Sequence, residues 1–103
     1  MATEYERGHT VKIGATLKDA DDTLVDPDQV ASIYQMTCEI KNAITGTAKV
    51  TATTMTRSAT GTFHYYWQTT ESLDVGQYEI EIVATYNNYK IVNRDYIDLV
   101  LVV

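Results

Sequence analysis

An all-β chain, folded as an antiparallel sandwich of about seven strands, is what this sequence predicts, and three observations carry the prediction. Threonine and tyrosine, which suit a pleated and half-buried surface, occur sixteen and eight times in 103 residues. Only one proline and five glycines interrupt them. Apolar and polar residues alternate in short runs separated by turn signals, with no sustained helical period.

The first run, "TVKIGATLK" from Thr10, puts Val11, Ile13, Ala15 and Leu17 on one face and Lys12, Gly14, Thr16 and Lys18 on the other, a half-buried strand. "DADDT", Asp19 to Thr23, ends it, because short carboxylates accept bonds from nearby backbone N–H groups. Asp26-Pro27-Asp28-Gln29 has the order of a helix start: Asp26 as N-cap, Pro27 at the first helical position, Gln29 placed for a capping box. Val30, Ile33 and Tyr34 follow at helical spacing, so one short helical turn is expected over 27–34. "MTCEIK" returns to alternation, with Met36, Cys38 and Ile40 inward. After the turn "NAITG", "TAKVTATTMT" sets Ala48, Val50 and Ala52 against Lys49, Thr51 and Thr53. Such small inward residues predict an edge strand.

Beyond Ser58 to Gly61, "TFHYYWQ" carries Phe63, Tyr65 and Trp67 on one face and His64, Tyr66 and Gln68 on the other. "QYEIEIVATY" repeats the device with Tyr78, Ile80, Ile82 and Ala84 inward. Asn87-Asn88 suits a two-residue hairpin turn, since asparagine tolerates positive φ. The last strand is expected from Tyr89 to Val103. Phe63, Tyr65, Trp67, Tyr78, Ile80 and Ile82 are the expected structural core, and their burial contributes at about 25 cal/mol per Å² of apolar surface. His64 and Tyr66, on the opposite face, are the residues that could form a ligand-stacking platform instead.

The whole chain, 1–103, has the size of one domain and is long enough to bury a single core. Its formal net charge of −6 disfavours a phosphate-backbone partner, so no nucleic acid is expected. Cys38 is the only cysteine, so an intrachain disulfide is impossible. No apolar run approaches a membrane span, and "MATEYERGHT" lacks the cationic and apolar regions of a secretory signal. Those features predict no membrane association and synthesis in the cytosol.

Asp74-Val75-Gly76-Gln77-Tyr78 is a glycine-containing turn followed by a tyrosine entering an alternating strand, the form of the corner tyrosine of immunoglobulin-like sandwiches. "GHTVKIGATLKDADDTLVDPDQV" (8–30) and "TRSATGTFHYYWQTTESLDVGQYEIEI" (56–82) extend the likeness. They resemble the small Ig-like domains of tailed-bacteriophage virion proteins and related bacterial Ig-like modules. In that family a G-x-T-V-x-I strand leads into an A-T-x-x-D-A-D turn and a V-D-P-D step, and an aromatic strand ending in tryptophan precedes G-x-Y. The chain departs from the pattern between Ala31 and Thr56, where "KNAITGTA" replaces a short D-P-x-G-T hairpin.

Nothing in the sequence has the form of a catalytic constellation. There is no G-x-S-x-G, phosphate-cradling glycine loop or H-E-x-x-H. Asp19, Asp21, Asp22, Asp26 and Asp28 fail the EF-hand order, since the sixth and twelfth positions counted from Asp19 are Leu24 and Val30. His9 and His64 lack companions at metal-ligand spacing, and alternation buries Cys38. No enzyme, metal or cofactor is therefore expected.

Candidate partner contacts are Tyr86, Asn87, Asn88 and Tyr89 at the hairpin end, Tyr96 beyond it, and Val100 and Val102, which alternation turns outward near the C-terminus. The resemblance implies a noncatalytic component of a virion, as capsid decoration, neck or tail. It would be made in the host cytoplasm and would pack on other virion proteins or on copies of itself. The alternatives are an Ig-like module of a bacterial or archaeal surface protein and a carbohydrate-binding sandwich using His64 and Tyr66.

Overall fold

Strict alternation puts the two halves of the core on opposite sheets of the computed structural model, which describes residues 3–100. The smaller sheet has the order β2-β8-β7, from β2 (Thr10–Thr16), β8 (Thr62–Gln68) and β7 (Thr56–Ala59). The larger has the order β1-β10-β9-β5-β6, from β1 (Thr3–Glu6), β10 (Tyr89–Val100), β9 (Gly76–Tyr86), β5 (Met36–Asn42) and β6 (Ala48–Thr54). A two-stranded hairpin, β3 (Gln29–Val30) with β4 (Ile33–Tyr34), lies apart from both. All pairings are antiparallel except β1 with β10. The chain is thus all-β, a sandwich as its alternation predicts.

Val11 and Ile13 of β2 and Phe63 and Trp67 of β8, with Leu17 just beyond β2, meet Met36, Cys38, Ile40, Tyr78, Ile80, Ala84, Ile97 and Leu99 from the other sheet. Of the six expected core residues, Phe63, Trp67, Tyr78 and Ile80 are buried, and Tyr65 and Ile82 are half-buried against them. The Trp67 and Tyr78 rings lie 5.5 Å apart at 60°, an inclined aromatic pair at the centre of the sandwich. Tyr78, fully buried, donates its hydroxyl to the carbonyl of Asp74 at 2.8 Å, which is the corner bond its sequence context predicts. Burial is the main cause that raises its pKa.

Three expectations need correction. No helical turn forms over 27–34. Ala31 and Ser32 both take positive φ, 50° and 68°, and make the two-residue turn of the β3–β4 hairpin. A helix there would need an apolar face to bury, but Val30 and Ile33 are 62% and 51% exposed. The backbone of Asp28 is also committed elsewhere, its N–H to the carbonyl of Thr85 and its carbonyl to the N–H of Gln35, both at 2.8 Å.

The simple alternation of β6 also fails. It is an edge strand as expected, but register shifts against β5 turn Val50 and Thr53 inward and leave Ala48 and Ala52 exposed. Finally, Val100, a candidate partner contact, does not lie on an open sheet edge. β1 runs parallel beside β10 from Thr3 opposite Ile97 to Glu6 opposite Val100. Val100 points away from the core and is half-buried, while Val102 lies outside the described residues.

Candidate functional site

The D-P-D step that imitates a helix cap is a double staple. Asp26 accepts Arg57 Nε at 3.0 Å, Arg57 Nη2 at 3.1 Å and the Gly61 N–H at 2.8 Å, so one carboxylate ties this loop to the β7–β8 turn. The Arg57 guanidinium stacks 5.4 Å from the Tyr34 ring centre. Its hydrogen bond to Asp26 is the main cause that lowers the carboxyl pKa. Gly61 has φ 66°, and a Cβ there would sit 2.8 Å from the Leu17 carbonyl oxygen, so the close approach needs glycine. Two residues on, Asp28 accepts the N–H groups of Asn87 at 3.1 Å and Asn88 at 2.9 Å. Pro27 is buried between the two staples.

Asp28 thereby holds the tip of the β9–β10 hairpin, where Asn87 and Asn88 have φ 51° and 66° as their sequence predicts. A polar cleft of about 540 Å³ opens between that tip and the β3–β4 hairpin, lined by Asp28, Gln29, Gln35, Thr85, Asn87 and Asn88.

The expected contact residues do not form one patch. Tyr86 faces inward, is half-buried and caps the core. Tyr89, directly opposite it, is 77% exposed. Tyr96 lies on the outer face of the sheet, its hydroxyl donating to Glu79 Oε2 at 3.2 Å. The same outer face carries Lys41, Glu79, Glu81 and Arg94, with Arg94 Nη2 2.9 Å from Glu81 and Lys41 3.5 Å from Glu79. That ladder is well paired and polar, as a wet sheet face should be.

Sequence reasoning missed the stretch of β10 between the tyrosines. Every residue from Tyr89 to Tyr96 is exposed, including Ile91 and Val92. The signal was present: in a strand, adjacent apolar residues cannot both face inward. Beneath this stretch the sandwich opens into a cleft of about 230 Å³ between β10 and β2, lined by Gly14, Leu17, Met36, Ile82, Ala84 and Ile91 among others.

On the outer face of the small sheet, the His64 and Tyr66 rings are 5.1 Å apart and Lys12 Nζ lies 6.0 Å from the Tyr66 ring centre. Tyr66 is 56% exposed. The aspartates of the first turn are occupied locally: Asp19 Oδ1 accepts from the N–H of Asp21 at 2.9 Å and of Thr23 at 3.0 Å, and Asp22 pairs with Lys18 at 3.4 Å. Among the described residues no three His, Cys, Asp or Glu side chains are placed to hold a metal ion. Cys38 is fully buried, and burial pushes its thiol pKa up to about 11, which suppresses the reactive thiolate.

An all-β sandwich with a stapled hairpin end and an exposed length of edge strand is what these elements define. Compared with known proteins, the chain matches no family model, and neither the curated proteins nor the solved structures include a match to it.

Proposed function

We propose that this chain is a noncatalytic, Ig-like structural module that works by packing against other protein subunits, as a component of a tailed-phage virion. The observation that carries the packing role is the exposed stretch of β10, where Tyr89, Ile91, Val92 and Tyr96 are 77%, 43%, 47% and 39% exposed along a strand edge that has no partner among the described residues. Strand order supports the Ig-like part of the reading. With β2, β5, β6, β7, β8, β9 and β10 taken as strands B, C, C′, D, E, F and G, the smaller sheet reads B-E-D and the larger, beyond β1, reads G-F-C-C′, an order compatible with that fold. The corner bond of Tyr78 supports it again. The virion setting rests on the motif resemblance in residues 8–30 and 56–82. A mass-spectrometric inventory of purified particles from the source tests it: the chain should be present at structural stoichiometry, and its absence from particles would end the virion reading.

The exposed Tyr66 ring beside His64 and Lys12 favours a second reading, a carbohydrate-binding sandwich. Glycan-array binding that is lost in Tyr66→Ala would replace the packing role with this one.

A further inference from the structure

The open stretch of β10 is complementary to itself. In a two-residue hairpin the flanking pair, here Tyr86 and Tyr89, is hydrogen-bonded across the ladder. Counting along β10, the N–H and C=O groups of Ile91, Asn93 and Asp95 then point to β9, and those of Lys90, Val92, Arg94 and Tyr96 point to the free edge. Two contacts agree with that count: the carbonyl of Val100 accepts the Arg7 N–H at 3.1 Å on the β1 side, and the Tyr96 N–H donates to Asp95 Oδ1 at 2.8 Å instead of to β9. β1 begins at the level of Ile97, so among the described residues the four outward positions have no strand beside them.

We propose that two copies of this chain pair edge to edge through residues 90–96 of β10, antiparallel about a twofold axis at Asn93, joining the two larger sheets into one. Only registers that oppose outward residues to outward residues can form the ladder. The one centred on Asn93 places Lys90 against the partner's Tyr96 and Val92 against the partner's Arg94, uses all four outward positions of each copy and stops where β1 begins. Centring on Val92 would oppose Lys90 to the partner's Arg94, a repulsive cross-strand pair. Centring on Ile91 engages only Lys90 and Val92, and centring on Arg94 drives Lys90 into the position that β1 occupies beside Asp98.

Charge selects the same register. Lys90 forms no ion pair among the described residues. In the pairing centred on Asn93 its stem crosses the ring of the partner's Tyr96 and its ammonium approaches the partner's Glu79, the carboxylate that the Tyr96 hydroxyl already contacts. Symmetry makes that contact twice. Val92 and Tyr96, exposed in the single copy, are covered. Asp95 surrenders the Tyr96 N–H to the carbonyl of the partner's Lys90 and, being exposed, returns to water.

This pairing rests on the packing role proposed above, for which it names a partner, and the two fail separately: particles that contain the chain as monomers overturn only the pairing. The test combines sedimentation velocity with amide hydrogen exchange of the full chain over rising concentration. The expected result is a species of about twice the monomer mass, with the amides of Lys90, Val92, Arg94 and Tyr96 becoming slow together while Ile91 and Asn93 are slow throughout. Val92→Pro should abolish the dimer and leave the circular dichroism of the fold intact, because the N–H it removes faces away from β9. Lys90→Glu should weaken the dimer, because the new carboxylate would face the partner's Glu79. A chain that stays monomeric at millimolar concentration, or a dimer in which those four amides exchange as fast as in the monomer, overturns the proposal.

Discussion

Single side chains explain why alternation could be trusted for the core and not for the loops. Phe63, Trp67 and Tyr78 are legible because a strand sends alternate residues to one face, and nothing local competes with that geometry. Trp67 is 5% exposed against a fully buried Tyr78, so Trp67→Ala should destabilise the fold by about 3 to 5 kcal/mol through lost contact and the cavity it leaves. Chemical denaturation measures it, and a loss below about 1 kcal/mol would mean the ring contributes little to the core. Asp26 is the opposite case. Its place before proline imitates a helix cap, while its partners Arg57 and Gly61 lie over thirty residues away and leave no local trace. The folded-state pKa of Asp26 is lowered, first by the Arg57 hydrogen bond and then by the Gly61 N–H. The stability it adds is therefore present above the unfolded carboxyl value, about 3.9, and is lost as pH falls through the lower folded value. Asp26→Asn should accordingly melt below the parent at pH 7, with the gap closing in melts run progressively below pH 4. A gap that stays constant down to pH 2 would remove the carboxylate charge from the staple.

At the level of elements, the six long strands, β2, β5, β6, β8, β9 and β10, lie where period-two patterning puts them, and the β9–β10 turn is legible because two consecutive asparagines tolerate positive φ. The stretch 27–34 was misread for a physical reason. Val30, Ile33 and Tyr34 fit both a helical period and a tight hairpin, and Ala31-Ser32 is a poor sequence for a turn that demands positive φ twice. That mismatch makes the hairpin testable. Replacing Ala31-Ser32 by Asn-Gly supplies the residues the turn prefers, and should raise stability by about 1 kcal/mol by relieving the left-handed backbone. Were the segment helical, the same glycine would lower stability by about 1 kcal/mol. The sign of the change in a denaturant titration thus separates the two structures. β6 shows a subtler limit: bulges against β5 change which residues face inward without changing composition, so period-two counting loses the inward set on both sides of Val50.

Across the whole molecule, the two long edges of the larger sheet are managed differently, and the difference locates the surface that assembly would use. β6 closes one side with an exposed, threonine-rich strand broken in register, which resists pairing. β10 closes the other side and, among the described residues, is covered by β1 only over residues 97–100, with Tyr89 to Tyr96 exposed and partly apolar. Sequence reasoning placed contacts at the hairpin end, Tyr86 to Tyr89, at Tyr96, and at Val100 and Val102, the last two because alternation turns them outward. It could not see β1 beside Val100, since a parallel partner some ninety residues distant leaves no mark in the pattern. With β1 in place, the amides of β10 that point toward it are already protected in the isolated chain. Hydrogen exchange of the chain alone and within particles should therefore show equal protection over Asp98 to Val100, and new protection over Lys90 to Tyr96 in particles only. Protection that appears instead across β6, with Lys90 to Tyr96 unchanged, would move the assembly surface to the opposite edge, because an edge pairing always leaves its imprint on the amides of the strand that makes it.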